Sequence, residues 1–600
     1  MYSRFIIKLR NFCTHPRAPW YALVLAVAIT LPALFSGFWL DDYIHVLTLE
    51  GKGMPTSTFD LFCFGNGDPE VIAPLIDRGT LPWYTLPELK VHFFRPLSSA
   101  TMALDHSLFG RSAVGYHLHS TLWYLLLIVA IWLLLRRLLP LKTAVLVLIL
   151  YALDDGHIPP VLWLSNRNAI VSAVPALLGL VAHLAWRERG WKPGLPLSLL
   201  GYVAGLLGGE TALGIMGYLI AYELLARDDR IIQRVKALVG GGIVSCGYLV
   251  YYKVAGYGVY GSGVYVDPVT EFAAFATLAP ERLATLVGAQ FFAVPPELPV
   301  ANSALYLPVV GAGFLSVGVL IWALVKLWSN MDKTTRRHVR WMGVGALLAT
   351  VPSLATFPSG RLLILPSLGA ALVTALIIQQ GLQWHGEKRS RLLVVLAHLF
   401  VVLHLVLMPL FWVGNSLAFP AFTYLSNDAF HTMEIDDDTA GDELIFSLYA
   451  PDPYTGFYSL IRRDFFGYPS PKGWQNLSVA PATHRVTRTH ENRFEVEIVD
   501  GELLSTSFEQ LLRSRSFPYA IGDQIERGGY VIEILEIGEW GPTRFSVAFP
   551  DALESSQYRF LAWKEGQLRV VTWPPIGTPL ILTPEDGYFT WEHLKKRLPF

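Results

Sequence analysis

The chain has 600 residues, of which 52% are hydrophobic and only 16% charged, with a mean hydropathy of +0.40. That balance excludes an ordinary soluble globule and indicates an integral membrane protein with a soluble part attached. The formal net charge of −1 gives no footprint for nucleic acid, and Cys13, Cys63 and Cys246 lie too far apart in the expected topology to suggest a disulfide framework.

Residues 1–19 form a basic tail, expected in the cytoplasm. The apolar run 20–40 is about as long as a bilayer is thick and too long for a signal-peptide core, so it reads as a retained anchor. It stops abruptly in LDDYIH, which places Asp41 and Asp42 on the membrane face opposite the basic tail. Two readings stay open for this pair. Acidic residues often just end an apolar helix, whereas carboxylates at that depth also mark working sites.

An outer loop rich in Pro, Gly and aromatics is expected over 41–115, followed by spans at 116–137, 141–153 and 169–186. The stretch 195–226 is too long for one upright helix and is interrupted by Gly208 and Gly209. Read as a hairpin of two short spans, it keeps the basic segments RDDRIIQRVK and KTTRRHVR inside, as the positive-inside bias requires. Further spans are expected at 237–255, 304–328, 341–357, 361–382 and 392–413, with a second outer loop at 256–303. The total is about eleven spans, with the carboxyl terminus outside. From residue 428 the charges return. RFEVEIVDGEL, GGYVIEILEI, RFSVAF and YRFLAWKEGQLRVVTW alternate apolar and polar residues and predict strands, with Glu565 and Gly566 in a hairpin turn and FTWEHLKKRL as a closing helix. The fold class is therefore mainly α: a polytopic helical core over 20–415 and a β-rich extracytoplasmic domain over 428–600.

This topology sends a set of polar residues to one face. Asp41 and Asp42 end the first span, Arg95 lies in HFFRPL, His117 opens the second span and His157 follows the third. Arg167 precedes the fourth span, Glu210 sits at the hairpin tip and Arg361 opens the tenth span. Arginines on the outer face run against the positive-inside bias and need a reason. Carboxylates beside guanidiniums suit glycosyl transfer from a lipid phosphate, which needs a base for the acceptor hydroxyl and cations for the leaving group. Plainer readings compete: arginines snorkel to the interface, and histidines hydrogen-bond at helix ends. Tyr257, Tyr260 and Tyr265 in the second loop suit an interfacial aromatic belt.

LDDYIH, FFRPLSSATMALDHSLFGRSAVGYHLHS, LWLSNRN, GGETALG and SGRLLILPSLG, in that order, resemble the GT-C superfamily of membrane glycosyltransferases. The resemblance covers about residues 20–382. It is nearest to the protein O-mannosyltransferase-like branch, which includes the transmembrane-and-tetratricopeptide mannosyltransferases and their bacterial relatives. It implies an inverting transferase with a polyprenyl-phosphate-linked sugar donor. By that resemblance Asp41 and Asp42 are catalytic, with Asp41 favoured as the base, while Arg95, His117 and Arg361 bind donor. His157, Arg167 and Glu210 complete the expected donor site. The chain departs from the family in LDDGHIPP after the third span, in GGE where relatives carry SKE, and in lacking tetratricopeptide repeats.

The expectation is therefore a multi-pass cell (inner) membrane enzyme that moves a sugar from a polyprenyl phosphate to an extracytoplasmic hydroxyl of a protein, a lipid or a cell-wall glycan. No cofactor is required; a divalent cation is compatible with the carboxylates, but no spacing demands a metal site. The alternatives are a transporter or flippase of a lipid-linked sugar, and a non-catalytic scaffold whose outer domain binds glycan.

Overall fold

Backbone polar groups in a bilayer must be satisfied within the segment that carries them, so long apolar runs become helices. The computed structural model describes residues 2–382 and 390–585. Six of its helices are long and apolar enough to cross a membrane: Ala18–Phe35, Ala113–Leu138, Leu164–Arg189, Ile231–Val254, Ser303–Trp328 and Arg391–Tyr424. A seventh is a pair, Leu141–Ala152 and Asp155–Leu162, bent by 51°. The protein is thus a mainly helical membrane protein. The other four expected spans appear as Gly194–Gly208, Gly214–Leu225, Lys333–Thr350 and Pro366–Gly381, of 15, 12, 18 and 16 residues. The first two and the last are too short to meet the same criterion, and Lys333–Thr350 begins with the basic KTTRRHVR. Eleven full spans are therefore not shown.

The 194–225 segment is a hairpin. Gly194 packs on the carbonyl of Ala182, and Gly208 on the backbone of Ser172, a full helix length away. The chain then returns, and Glu223 accepts a hydrogen bond from His183 at 2.8 Å. Gly208 must be glycine, because a Cβ there would stand 2.7 Å from the Ser172 Cα. The tip is tied down by the Ser172 hydroxyl, which donates to the Gly209 carbonyl (2.8 Å) and accepts from the Ala212 N–H (2.9 Å). The two basic segments meet at the opposite end, where Arg337 lies 3.3 Å from Asp228.

The segments expected as loops carry structure. Residues 41–115 contain the helices Asp41–Leu49, Pro69–Arg78 and Pro96–Phe109, and residues 256–303 contain the helix Phe272–Phe292. The strands are β1 (Cys63–Asn66), β2 (Lys90–His92), β3 (Gly258–Tyr260), β4 (Leu444–Ser447), β5 (Gly473–Asn476), β6 (Thr483–His490), β7 (Arg493–Val499), β8 (Gln524–Arg527), β9 (Tyr530–Ile537), β10 (Pro542–Ala548), β11 (Tyr558–Lys564), β12 (Gln567–Val570) and β13 (Pro579–Leu582). The first three form a small antiparallel sheet joining the two loops. The C-terminal region holds an antiparallel sheet ordered β13-β6-β7-β10-β9-β8 and a mixed sheet ordered β12-β11-β4-β5.

The helix Met408–His431 leads into the β-rich region. That region does not keep a core to itself. Ile72, Ile76, Trp83 and Leu89 of the first loop share one buried cluster with Phe446, Trp474, Phe494 and Phe545. The Trp83 indole donates to the Leu477 carbonyl (3.1 Å), and Arg78 pairs with Asp464 (2.6 Å). Gly79, at φ +90°, admits the Trp474 carbonyl so closely that any Cβ would overlap it. The expected closing helix FTWEHLKKRL lies outside the described residues.

Candidate active site

The acidic pair opens a helix. After the turn Leu31–Phe35 the chain runs on to Leu40, which adopts φ +46°, and the helix Asp41–Leu49 starts at once. A positive φ on a branched residue costs about 1–3 kcal/mol and persists only where its surroundings enforce it. Both carboxylates thereby fall in the first turn, where the helix dipole favours negative charge.

The two neighbours then part. Asp42 is fully buried, and its oxygens are saturated. One accepts from the Ser165 N–H (2.7 Å) and the Ser165 hydroxyl (2.5 Å), the other from the Trp39 N–H (3.0 Å). Burial raises its pKa to about 7 despite these bonds. Asp41 is only partly covered. Its Oδ1 accepts from the Tyr458 hydroxyl at 2.7 Å, and its Oδ2 has no hydrogen-bond partner among the described residues. Burial raises its pKa, countered by the Tyr458 hydrogen bond and by the charges of Arg361 and Arg95.

Arg95 directly precedes the helix Pro96–Phe109 and donates Nε to Glu210 at 2.9 Å. Its guanidinium lies over Phe93 (4.5 Å) and Phe62 (4.9 Å). Gly209 lies beside the arginine stem, which a Cβ there would meet at an ordinary contact distance of 3.7 Å. Arg361 sits in the turn Gly360–Leu363, which Glu297 fastens by accepting from the Ser359 hydroxyl (2.8 Å) and the Gly360 N–H (2.7 Å). The Arg361 guanidinium stacks on Trp163 (5.3 Å) and Phe357 (5.6 Å) and has no hydrogen-bond or carboxylate partner among the described residues. A charge held only by aromatic faces keeps its donors available.

The remaining expected residues are buried in the structure around these groups. Arg167 is buried and paired with Asp105 at 2.6 Å, and Asp105 also holds His119 at 2.6 Å. His117 is buried and donates to the Gly37 carbonyl at 2.8 Å, fixing the approach to the acidic pair. His157 is buried against Tyr151 (4.5 Å), with Nδ1 3.4 Å from the Tyr124 hydroxyl. Asp41, Arg95, Glu210 and Arg361 are therefore gathered at one end of the bundle, while Asp42, His117 and Arg167 frame them and His157 lies in the packed interior. Two contributors escaped the sequence reading. Ser165 lies in LWLSNRN and was legible as a polar residue at a helix start. Tyr458 comes from 417 positions along the chain, in a segment with no local signal.

Among the described residues, no group of three or more His, Cys, Asp or Glu side chains is arranged to hold a metal.

No family model matches the chain. No curated protein matches it either. Among solved structures it is similar to the Archaeoglobus fulgidus oligosaccharyltransferase tethered with an acceptor peptide, with 10% identity over 77% of this chain and 64% of that one and a TM-score of 0.38. The same archaeal enzyme, AglB, in complex with an inhibitory peptide and a dolichol-phosphate gives 11% identity, 77% and 65% coverage and a TM-score of 0.38. ArnT from Cupriavidus metallidurans bound to undecaprenyl phosphate gives 13% identity, 75% and 84% coverage and a TM-score of 0.35. The chain spans less than two thirds of the length of the archaeal enzyme, and at these scores the likeness is loose.

Proposed function

We propose that this protein is an inverting membrane glycosyltransferase that moves a sugar from a polyprenyl phosphate to an acceptor hydroxyl outside the cytoplasm. The observation that carries this reading is that, among the described residues, Asp41 has one oxygen without a partner and Arg361, whose charge acts on it, has no carboxylate of its own. A transporter needs the cation but has no use for the base.

In the proposed reaction Asp41 takes the proton from the acceptor hydroxyl as its oxygen forms a bond to the anomeric carbon. The bond from that carbon to the phosphate oxygen breaks on the opposite face, and its electron pair leaves on the polyprenyl phosphate. Arg361 meets the charge that develops there, and Arg95 adds to the positive field while bonded to Glu210. The eleven-span topology, with the acidic pair and the β-rich region outside, belongs to the same proposal, as does the protein O-mannosyltransferase-like branch that makes mannose the first sugar to try.

Purified protein given undecaprenyl-phosphate mannose and simple alcohol acceptors should release undecaprenyl phosphate and ignore nucleotide sugars. Turnover with a nucleotide sugar alone would overturn the assignment. A reporter active only outside the cytoplasm should work when fused after Phe600 and fail when placed beside Arg336.

A further inference from the structure

The C-terminal region reaches into the acidic site. The helix Tyr458–Phe466 packs on Asp41–Leu49, with the Phe465 ring 4.9 Å from that of Tyr43. It is anchored from behind by Arg462, which is buried, donates to the Ser426 carbonyl at 2.8 Å and lies over the Phe430 ring at 4.7 Å. Tyr458 itself is only 4% exposed, wedged between Phe457 (4.4 Å) and Tyr454 (5.7 Å). A residue needed only to fill this space could be phenylalanine. The hydroxyl instead ends 2.7 Å from one oxygen of Asp41.

We propose that Tyr458 is a positioning residue for Asp41: its O–H occupies Oδ1, fixes the carboxylate rotamer and leaves Oδ2 as the oxygen that takes up a proton. The inference deepens the reading of Asp41 as the base and rests on it for its functional meaning. The C-terminal region thereby becomes part of the reaction centre rather than an appended module. The charged and titratable groups that face Asp41 are Asp42 on its own helix, Arg95, Arg361 and Tyr458, with Tyr454 beside the last. Among these, Tyr458 makes the direct hydrogen bond.

Tyr458→Phe removes a donor to the ionised carboxylate while keeping the ring. A hydrogen bond to a charged group corresponds to about one to two pH units in the acid it stabilises. Infrared spectra of the full-length protein in detergent, recorded across pH, should contain a carboxylic-acid band that disappears in Asp41→Asn. In Tyr458→Phe the midpoint of that band should rise by about one to two pH units. The acid-side limb of turnover of undecaprenyl-phosphate mannose should rise by the same amount, so that the loss at neutral pH is relieved in alkali. Replacing Tyr458 by 3-fluorotyrosine, a stronger donor of nearly the same shape, should move the midpoint downward. An unchanged midpoint in both variants, or a uniform loss of turnover at every pH, overturns the positioning role. Full turnover in Asp41→Asn would instead remove the base assignment, while the infrared titration still reports whether Tyr458 holds that carboxylate.

Discussion

Two clusters at the same end of the bundle use the same residue types to opposite ends. In the seam behind the acidic pair, Asp42 accepts hydrogen bonds from Ser165 and Trp39, and Arg167 pairs with Asp105, with all three side chains buried. Beside it, among the described residues, Asp41 keeps one oxygen free, and Arg361 rests on Trp163 and Phe357 without a carboxylate. Residue type therefore does not separate these two clusters; the hydrogen-bonding capacity left on their charged groups, among the described residues, does. Buried charges with full partners resist change, whereas a charge held by aromatic faces is free to engage a ligand.

The contrast is most exposed to failure at Asp41. Asp41→Asn keeps the shape and removes the proton acceptor, so turnover of undecaprenyl-phosphate mannose should fall by roughly 100- to 10,000-fold with expression unchanged. Near-normal turnover in a folded variant would return Asp41 to the status of a helix-end residue. On the other side of the comparison, Asp105→Ala strands the Arg167 charge in the interior and should destabilise the fold by about 3–5 kcal/mol, read as early loss of monodisperse protein on heating in detergent. An equal loss from Arg361→Ala would erase the distinction between the two clusters.

Asp42→Asn tests the seam more gently. It turns an acceptor of the Trp39 and Ser165 donors partly into a donor and should cost about 1–3 kcal/mol. The pH dependence sharpens the point. The Asp42 pKa in the fold is about 7, above its ordinary value of 3.8, so the folded state holds the proton where the unfolded chain has released it. Its stabilising contribution is fully present below about pH 4 and is lost as the pH rises through about 7. Thermal scans from pH 4 to 8 should show wild-type stability falling across that window, with the slope reduced in Asp42→Asn. The smallest effect is expected at Arg361→Gln. Loss of one charge-assisted contact to the leaving phosphate should lower turnover of undecaprenyl-phosphate mannose by roughly tenfold, leaving stability unchanged because no carboxylate among the described residues loses a partner.

What could be read along the chain follows local rules. Of the eleven apolar runs expected to span, six became helices long and apolar enough to cross a membrane, the two properties that length and hydropathy make legible. Gly208 and Gly209 broke the 195–226 stretch, because close packing against Ser172 and the turn at the tip both need the missing side chain. The alternation after residue 480 became strands, since a half-buried sheet has a period of two. The structure inside the loops at 41–115 and 256–303 was not legible: they carry helices and short strands whose apolar residues find partners far away in sequence.

Composition and motif order also pointed to Asp41, Asp42, Arg95 and Arg361, because charges beside apolar runs stand out against their surroundings. Which of them are free is a property of partners, and partners are chosen by the fold. Asp41 and Asp42 are adjacent in sequence and chemically identical, yet one is closed by Ser165, 123 positions away, and the other is held at a single oxygen by Tyr458, 417 positions away. A hydrogen bond reaches about 3 Å regardless of how much chain lies between its ends. Local pattern therefore determined where the charges lie, and only tertiary packing decided which of them it left unsatisfied.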